Sequence, residues 1–182
     1  MKKILKIVSY ILLSFVILAI VGFIYFNSAY PKAGPALNVK VEITPARIER
    51  GKYLANHVTG CMDCHSTRDW TKYSGPIISG TEGKGGEKFG EELGLPGTIY
   101  SKNITPANLH SWTDGEIIRA ITSGVTKDGK TLFPLMPYMG FSQLSQEDVY
   151  SIVAYLRTLN KIQNDVPESH IKFPVSLIIK YV

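Results

Sequence analysis

Apolar and polar positions follow two different regimes along this chain. From Ile7 to Phe26 there are twenty consecutive uncharged residues dominated by Ile, Leu, Val and Phe, while beyond residue 30 the apolar positions are sparse and periodic. At a helical rise of about 1.5 Å per residue the first stretch matches a hydrocarbon core of roughly 30 Å, so it is expected to span a membrane. The competing reading is a cleaved secretory signal, whose apolar region is usually about 7 to 15 residues long and ends at a small-x-small site. Here the run is longer, and Asn27-Ser28-Ala29-Tyr30-Pro31 makes a poor cleavage site, which favours an uncleaved anchor. Pro31 to Pro35 then reads as a stiff, extended linker.

Three helices are predicted downstream. Thr44-Pro45 fits an N-cap with proline at the first helical position, opening a helix over Ala46 to His57. Thr113-Asp114-Gly115-Glu116 is a capping box ahead of Ile117, Ile118, Ala120 and Ile121, and Gly124 is the expected stop. Ser145 caps a third helix, which places Val149, Ile152, Val153 and Leu156 on one face at i, i+3, i+4 and i+7 spacing. Between the first two lies Ser66 to Leu109, rich in glycine and without a sustained period. So long an irregular stretch argues against a compact domain unless it wraps a large cofactor. About 100 Å² of apolar cofactor surface would supply roughly 2.5 kcal/mol of the missing burial.

The formal charge is +5, but Lys2, Lys3 and Lys6 precede the apolar run, leaving +2 (5 − 3) for the remainder. No nucleic-acid partner is indicated by so small a surplus. Three lysines before the span and only Lys32 soon after it place the N-terminus in the cytoplasm by the positive-inside rule, with everything past residue 30 outside.

The two cysteines stand in Cys61-Met62-Asp63-Cys64-His65, the c-type haem attachment pattern. Two thiols three positions apart can each add to a haem vinyl group, while the adjacent histidine reaches the iron. The other readings are a zinc half-site, a thioredoxin-like redox pair and a disulfide. Zinc normally needs a second ligand pair, and His57, His110 and His170 form no matching cluster. A thioredoxin site needs a βαβ context that the helix-and-loop pattern does not provide. For a second axial ligand, the segment Leu132 to Met139 lies between the second and third helices and offers Met136 and Met139. Methionine in that position raises the reduction potential.

At this point the chain resembles class I cytochromes c, in which the attachment motif follows an N-terminal helix and a Met-Pro loop precedes a C-terminal helix. The resemblance extends over about residues 45 to 160. Gly97-Thr98-Ile99-Tyr100-Ser101-Lys102-Asn103-Ile104-Thr105-Pro106, Trp112, Lys127-Asp128-Gly129-Lys130 and Phe133-Pro134-Leu135-Met136-Pro137-Tyr138 are similar to the haem domains of cytochrome subunits serving membrane-bound alcohol and gluconate dehydrogenases. Those subunits typically carry three attachment motifs and this chain has one, so one haem c is expected rather than a multi-haem relay.

The resemblance implies an all-α, class I cytochrome c fold, with three main helices and long loops around one haem, preceded by one transmembrane helix. The expected organisation is an anchor over 1–29, a linker over 30–44, a cytochrome domain over 45–165 and a tail over 166–182. Cys61 and Cys64 would bear the haem, His65 would be the proximal ligand and Met136 the distal one. Met136 is preferred to Met139 because Pro137 favours an extended turn at the preceding residue, whereas Met139 equally suits an apolar gap. By the same resemblance Gly51 and Tyr155 mark the close crossing of the first and last helices. The carbonyl of Pro76 is matched to the free nitrogen of the proximal histidine. Tyr100, Asn103 and Trp112 are candidate donors to the haem propionates or, equally, packing anchors.

The implied function is single-electron transfer, without bond chemistry of its own. It would run on the periplasmic side of a bacterial inner membrane, between a donor such as a dehydrogenase and a respiratory acceptor, an oxidase or another cytochrome. The alternative is a haem enzyme or a redox or gas sensor with a labile distal ligand. The tail carries Pro167, Pro174 and Val175 to Ile179, too short to span a bilayer. Its place on the domain, the membrane or a partner is left open by the sequence.

Overall fold

The computed structural model describes residues 2–181; Met1 and Val182, the outer limits of the expected anchor and tail, lie outside the described residues. In chain order the helices are α1 (Lys2–Ala29), α2 (Pro45–Tyr53), α3 (Cys61–His65), α4 (Pro106–Leu109), α5 (Asp114–Ser123), α6 (Tyr138–Phe141), α7 (Gln146–Thr158) and α8 (Val175–Ile178). The strands are β1 (Lys88–Phe89), β2 (Gly97–Tyr100) and β3 (His170–Ile171). Among the described residues α1 is the one helix long and apolar enough to cross a membrane, and none of its side chains is buried.

The helix signals act where the sequence put them. Thr44 Oγ1 accepts from Arg47 N, with Pro45 in the first turn of α2. Thr113 and Glu116 form the reciprocal capping box of α5, and Gly124 ends it at φ 65°. Ser145 Oγ accepts from Asp148 N at the start of α7. The first helix does not run on evenly to His57. After Tyr53 it widens into a π-turn over Leu54–Val58, closed by Thr59 N bonding to Leu54 O.

Helices α2 and α7 cross at Gly51. A Cβ there would lie 1.8 Å from Ser151 O and 2.9 Å from Tyr155 Cβ, so only glycine permits this approach. Arg47 with Glu147 and Arg50 with Asp148 clamp the rim of the crossing at 2.6 and 2.8 Å. The core is built on this pair, with Leu54, Ala55, Met62, Ile117, Ile118, Ile121, Ile152, Val153 and Leu156 all buried.

A largely enclosed ion pair fastens α7 to α5. Arg157 reaches Asp114 Oδ1 through Nε and Nη2 at 2.9 and 2.7 Å, and also donates to the carbonyls of Leu109 and Trp112. The other carboxylate oxygen of Asp114 accepts from Val41 N, so the far end of the linker is bound to the domain.

The all-α expectation needs correction, because β1, β2 and β3 form a three-stranded antiparallel sheet in the order β1-β2-β3. Strand β3 comes from the tail: Gly97 pairs with Ile171 and Thr98 with His170. The tail therefore packs back on the protein, and Lys180 Nζ finally donates to Asn27 Oδ1 at the base of α1.

Candidate haem site

Helix α3 is little more than one turn long and carries the whole attachment motif. Gly60 precedes it at φ 60°, a left-handed turn that separates it from the π-turn above. Met62 points into the core and is fully buried, leaving Cys61, Cys64 and His65 half-buried at its edge. Both cysteines are free thiols in this structure. Burial pushes both thiols above their ordinary range; at Cys61 the contact from Thr59 Oγ1, 3.1 Å from Sγ, works in the opposite direction.

The orientation of His65 is set from outside its helix. Its Nδ1 donates to the main-chain carbonyl of Lys102 at 2.6 Å. A carbonyl can only accept, so the proton is on Nδ1 and Nε2 keeps its lone pair for a metal. Burial holds the imidazole below its ordinary pKa, with the Lys102 contact opposing that shift, so the ring is neutral at neutral pH. The carbonyl of His65 accepts from Gly85 N at 2.8 Å. Around this point Gly83 to Glu87 runs beside Ser101 to Ile104, joined by Gly86 N to Ser101 O, Ser101 N to Glu87 O and Ile104 N to Gly83 O.

The expected partner of His65 was the carbonyl of Pro76, and the structure corrects this. Pro76 O accepts from Asp69 N at 2.9 Å, inside a loop pinned by Arg68 donating to the carbonyls of Ser74 and Gly75. Asn103 is also used differently from the propionate role considered for it. It is 4% exposed, its Oδ1 accepts from Thr105 N and Oγ1, and its Nδ2 donates to Ile162 O. It acts as a packing anchor that ties the segment after β2 to the chain beyond α7.

Tyr100 and Trp112 are half-buried, and among the described residues neither Tyr100 Oη nor Trp112 Nε1 hydrogen-bonds to the protein. Met136 is partly buried and packs against the core, whereas Met139 on α6 is 60% exposed. His110 Nδ1 donates to the nearby Ala107 carbonyl. Tyr138, two residues after Met136, is buried against Gly124, and its Oη lacks a hydrogen-bond partner among the described residues.

These residues fit a c-type haem: two unpaired thiols and a metal-ready Nε2 on one short helix, with a thioether and an unsatisfied hydroxyl on the Met136 loop. Comparison with known proteins agrees, since the cytochrome c family model matches residues 48–160, more than half the chain. The chain belongs to the cytochrome c family. Haem c attached covalently is its cofactor, with Cys61 and Cys64 fitting a single attachment motif.

Among curated cytochromes it is similar to the cytochrome c subunit of a quinone alcohol dehydrogenase from Gluconobacter oxydans (strain 621H), 34% identical over 139 residues, 72% of this chain and 26% of that protein. The fructose dehydrogenase cytochrome subunit of Gluconobacter japonicus is 34% identical over 147 residues, 75% of this chain and 27% of that protein. The gluconate 2-dehydrogenase cytochrome c subunit of Pantoea cypripedii is 33% identical over 139 residues, 72% and 28% of the two chains. The chain thus spans little more than a quarter of the length of these relatives.

Proposed function

We propose that the protein is a membrane-anchored, mono-haem cytochrome c that passes single electrons from a periplasmic-side donor to a respiratory acceptor and catalyses no bond chemistry itself. In this reading residues 1–29 anchor the chain in a bacterial inner membrane with the N-terminus inside. Residues 30–44 link the anchor to a haem domain over 45–165, and 166–182 form its tail. When bound, haem c supplies a one-electron ferric–ferrous couple.

The chain's own residues do the rest. Cys61 and Cys64 would provide the two sulfurs for thioether attachment, and His65 would hold the iron through Nε2, while Lys102 O binds Nδ1–H and makes the imidazole a stronger donor. Met136 would help to hold the iron through its thioether, which favours the ferrous state. Tyr100 and Trp112 offer their free polar heads to the propionates. A sugar- or alcohol-oxidising dehydrogenase is the donor favoured by the likeness to cytochrome subunits of such enzymes.

The observation that carries this reading is the hydrogen bond from His65 Nδ1 to Lys102 O, which prepares a metal ligand on the same turn as two unpaired thiols. Acid–acetone extraction of the purified protein tests the attachment. All haem should stay with the polypeptide, and Cys64→Ala should lose most of the holoprotein; haem passing into the organic phase contradicts the proposal.

A further inference from the structure

Two adjoining cavities of about 260 and 340 Å³ lie where α1 leaves its apolar run. Both are lined by Tyr30, Pro31 and Lys180; the first also takes in Lys32, and the second Lys130 and Thr131. Three lysines from distant parts of the chain thus line these cavities, and among the described residues no aspartate or glutamate does. Lys180 is held in place by its 2.6 Å bond to Asn27 Oδ1, and Lys32 Nζ lies 5.5 Å from the centre of the Tyr30 ring. Thr131 Oγ1 is buried without a hydrogen-bond partner among the described residues.

The depth of these cavities is fixed by α1. Asn27 directly follows Phe26, the last residue of the apolar run, so at about 1.5 Å per residue the site begins at the hydrocarbon boundary. The tail segment that supplies Lys180 also carries Phe173 and Ile178, which are 80% and 54% exposed. Apolar side chains and lysines sharing one short segment suit the interface between acyl chains and headgroups.

We propose that this lysine-lined site binds the phosphate of an anionic phospholipid headgroup and so holds the cytochrome domain against the membrane surface. The required chemistry is a phosphate-type anion, and a lipid meets more of the surface than free phosphate does. Its headgroup matches the lysines, and its acyl chains lie along the exposed apolar side chains of α1. The proposal rests on the anchor reading given above.

The test is native mass spectrometry of the full-length holoprotein in non-ionic detergent. Phosphatidylglycerol or phosphatidylcholine with the same acyl chains is added, with and without millimolar inorganic phosphate. The site variant is Lys32→Gln/Lys130→Gln/Lys180→Gln. A control variant of equal charge, Lys52→Gln/Lys88→Gln/Lys161→Gln, alters lysines elsewhere, and Lys2, Lys3 and Lys6 are common to all three proteins.

A lysine near an anionic surface contributes about a five-fold preference. The site variant should therefore lose its preference for phosphatidylglycerol by at least about tenfold, while the control keeps it within about twofold. Equal retention by wild type and site variant, or an equal loss in the control, overturns the proposal. Displacement of the lipid by inorganic phosphate overturns the lipid assignment. An unchanged haem spectrum verifies that the site variant is folded; should it fail to fold, Lys130→Gln alone, on an exposed turn, should show about a five-fold loss. A second measurement reconstitutes the wild type into vesicles of each lipid: failure to enter either contradicts the anchor reading, whereas entry without lipid preference contradicts the headgroup site alone.

Discussion

His65 Nδ1 donates to the carbonyl oxygen of Lys102 across 2.6 Å and 37 positions of sequence. This contact is held by Gly85, which bonds to His65 O and stands at φ 70°. A Cβ at Gly85 would come within 2.5 Å of the Lys102 carbonyl carbon and 2.6 Å of its oxygen.

Gly85→Ala is accordingly expected to push the Lys102 peptide away from His65. With its Nδ1–H bond weakened, the imidazole is a poorer donor and stabilises the ferric state less, so the reduction potential should rise. Spectroelectrochemistry of the purified variant measures this. Lys102→Ala is the matching control, because it keeps the carbonyl and removes only the side-chain bonds to Pro167 and Glu168. Its potential should be that of the wild type.

Gly51→Ala should destabilise the holoprotein by about 3 kcal/mol or more, since the added methyl meets main-chain Ser151 O rather than a movable side chain. Urea unfolding followed by far-ultraviolet circular dichroism gives the number. A loss below about 1 kcal/mol would mean that α2 and α7 do not cross as closely as described.

Arg157→Met should cost about 3 to 5 kcal/mol, because it strands the Asp114 carboxylate and the carbonyls of Leu109 and Trp112 in a largely enclosed place. The double variant Arg157→Met/Asp114→Leu should recover part of this loss, while still lacking the bond to Val41 N. Thermal unfolding of the two variants side by side checks the coupling.

Met136→Ala should abolish the iron–sulfur charge-transfer band of the ferric protein and lower its potential. Met139→Ala, at a position 60% exposed, should leave both unchanged. Optical spectra of the two ferric variants decide the assignment, and a reversal of these outcomes would transfer the ligand role to Met139.

The parts of the fold legible in the sequence are those written in residue types. The capping box of Thr113 and Glu116, the Ser145 cap and the spacing of Val149, Ile152, Val153 and Leu156 each name a helix. Gly51 and Tyr155 named the crossing through likeness to class I cytochromes. The partner of His65 was not legible, because a main-chain acceptor can be contributed by any residue; looking for a proline led to Pro76, whose carbonyl is engaged by Asp69 N. The sheet escaped for another reason: strands of two and four residues are too short to show an alternation, and Gly97–Tyr100 is paired by a tail more than seventy positions away. The use of Asn103 as an anchor was equally hidden, since its partner Ile162 O is again main chain.

The central claim is that one covalently held haem, ligated by His65 and Met136, exchanges single electrons without offering an open coordination site. Potentiometric titration of the purified full-length protein, repeated under carbon monoxide, tests it most directly. One haem per chain should titrate as a single n = 1 wave that carbon monoxide does not displace. More than one wave, or a wave shifted upward by tight carbon monoxide binding to the ferrous protein, would contradict a closed, mono-haem electron carrier.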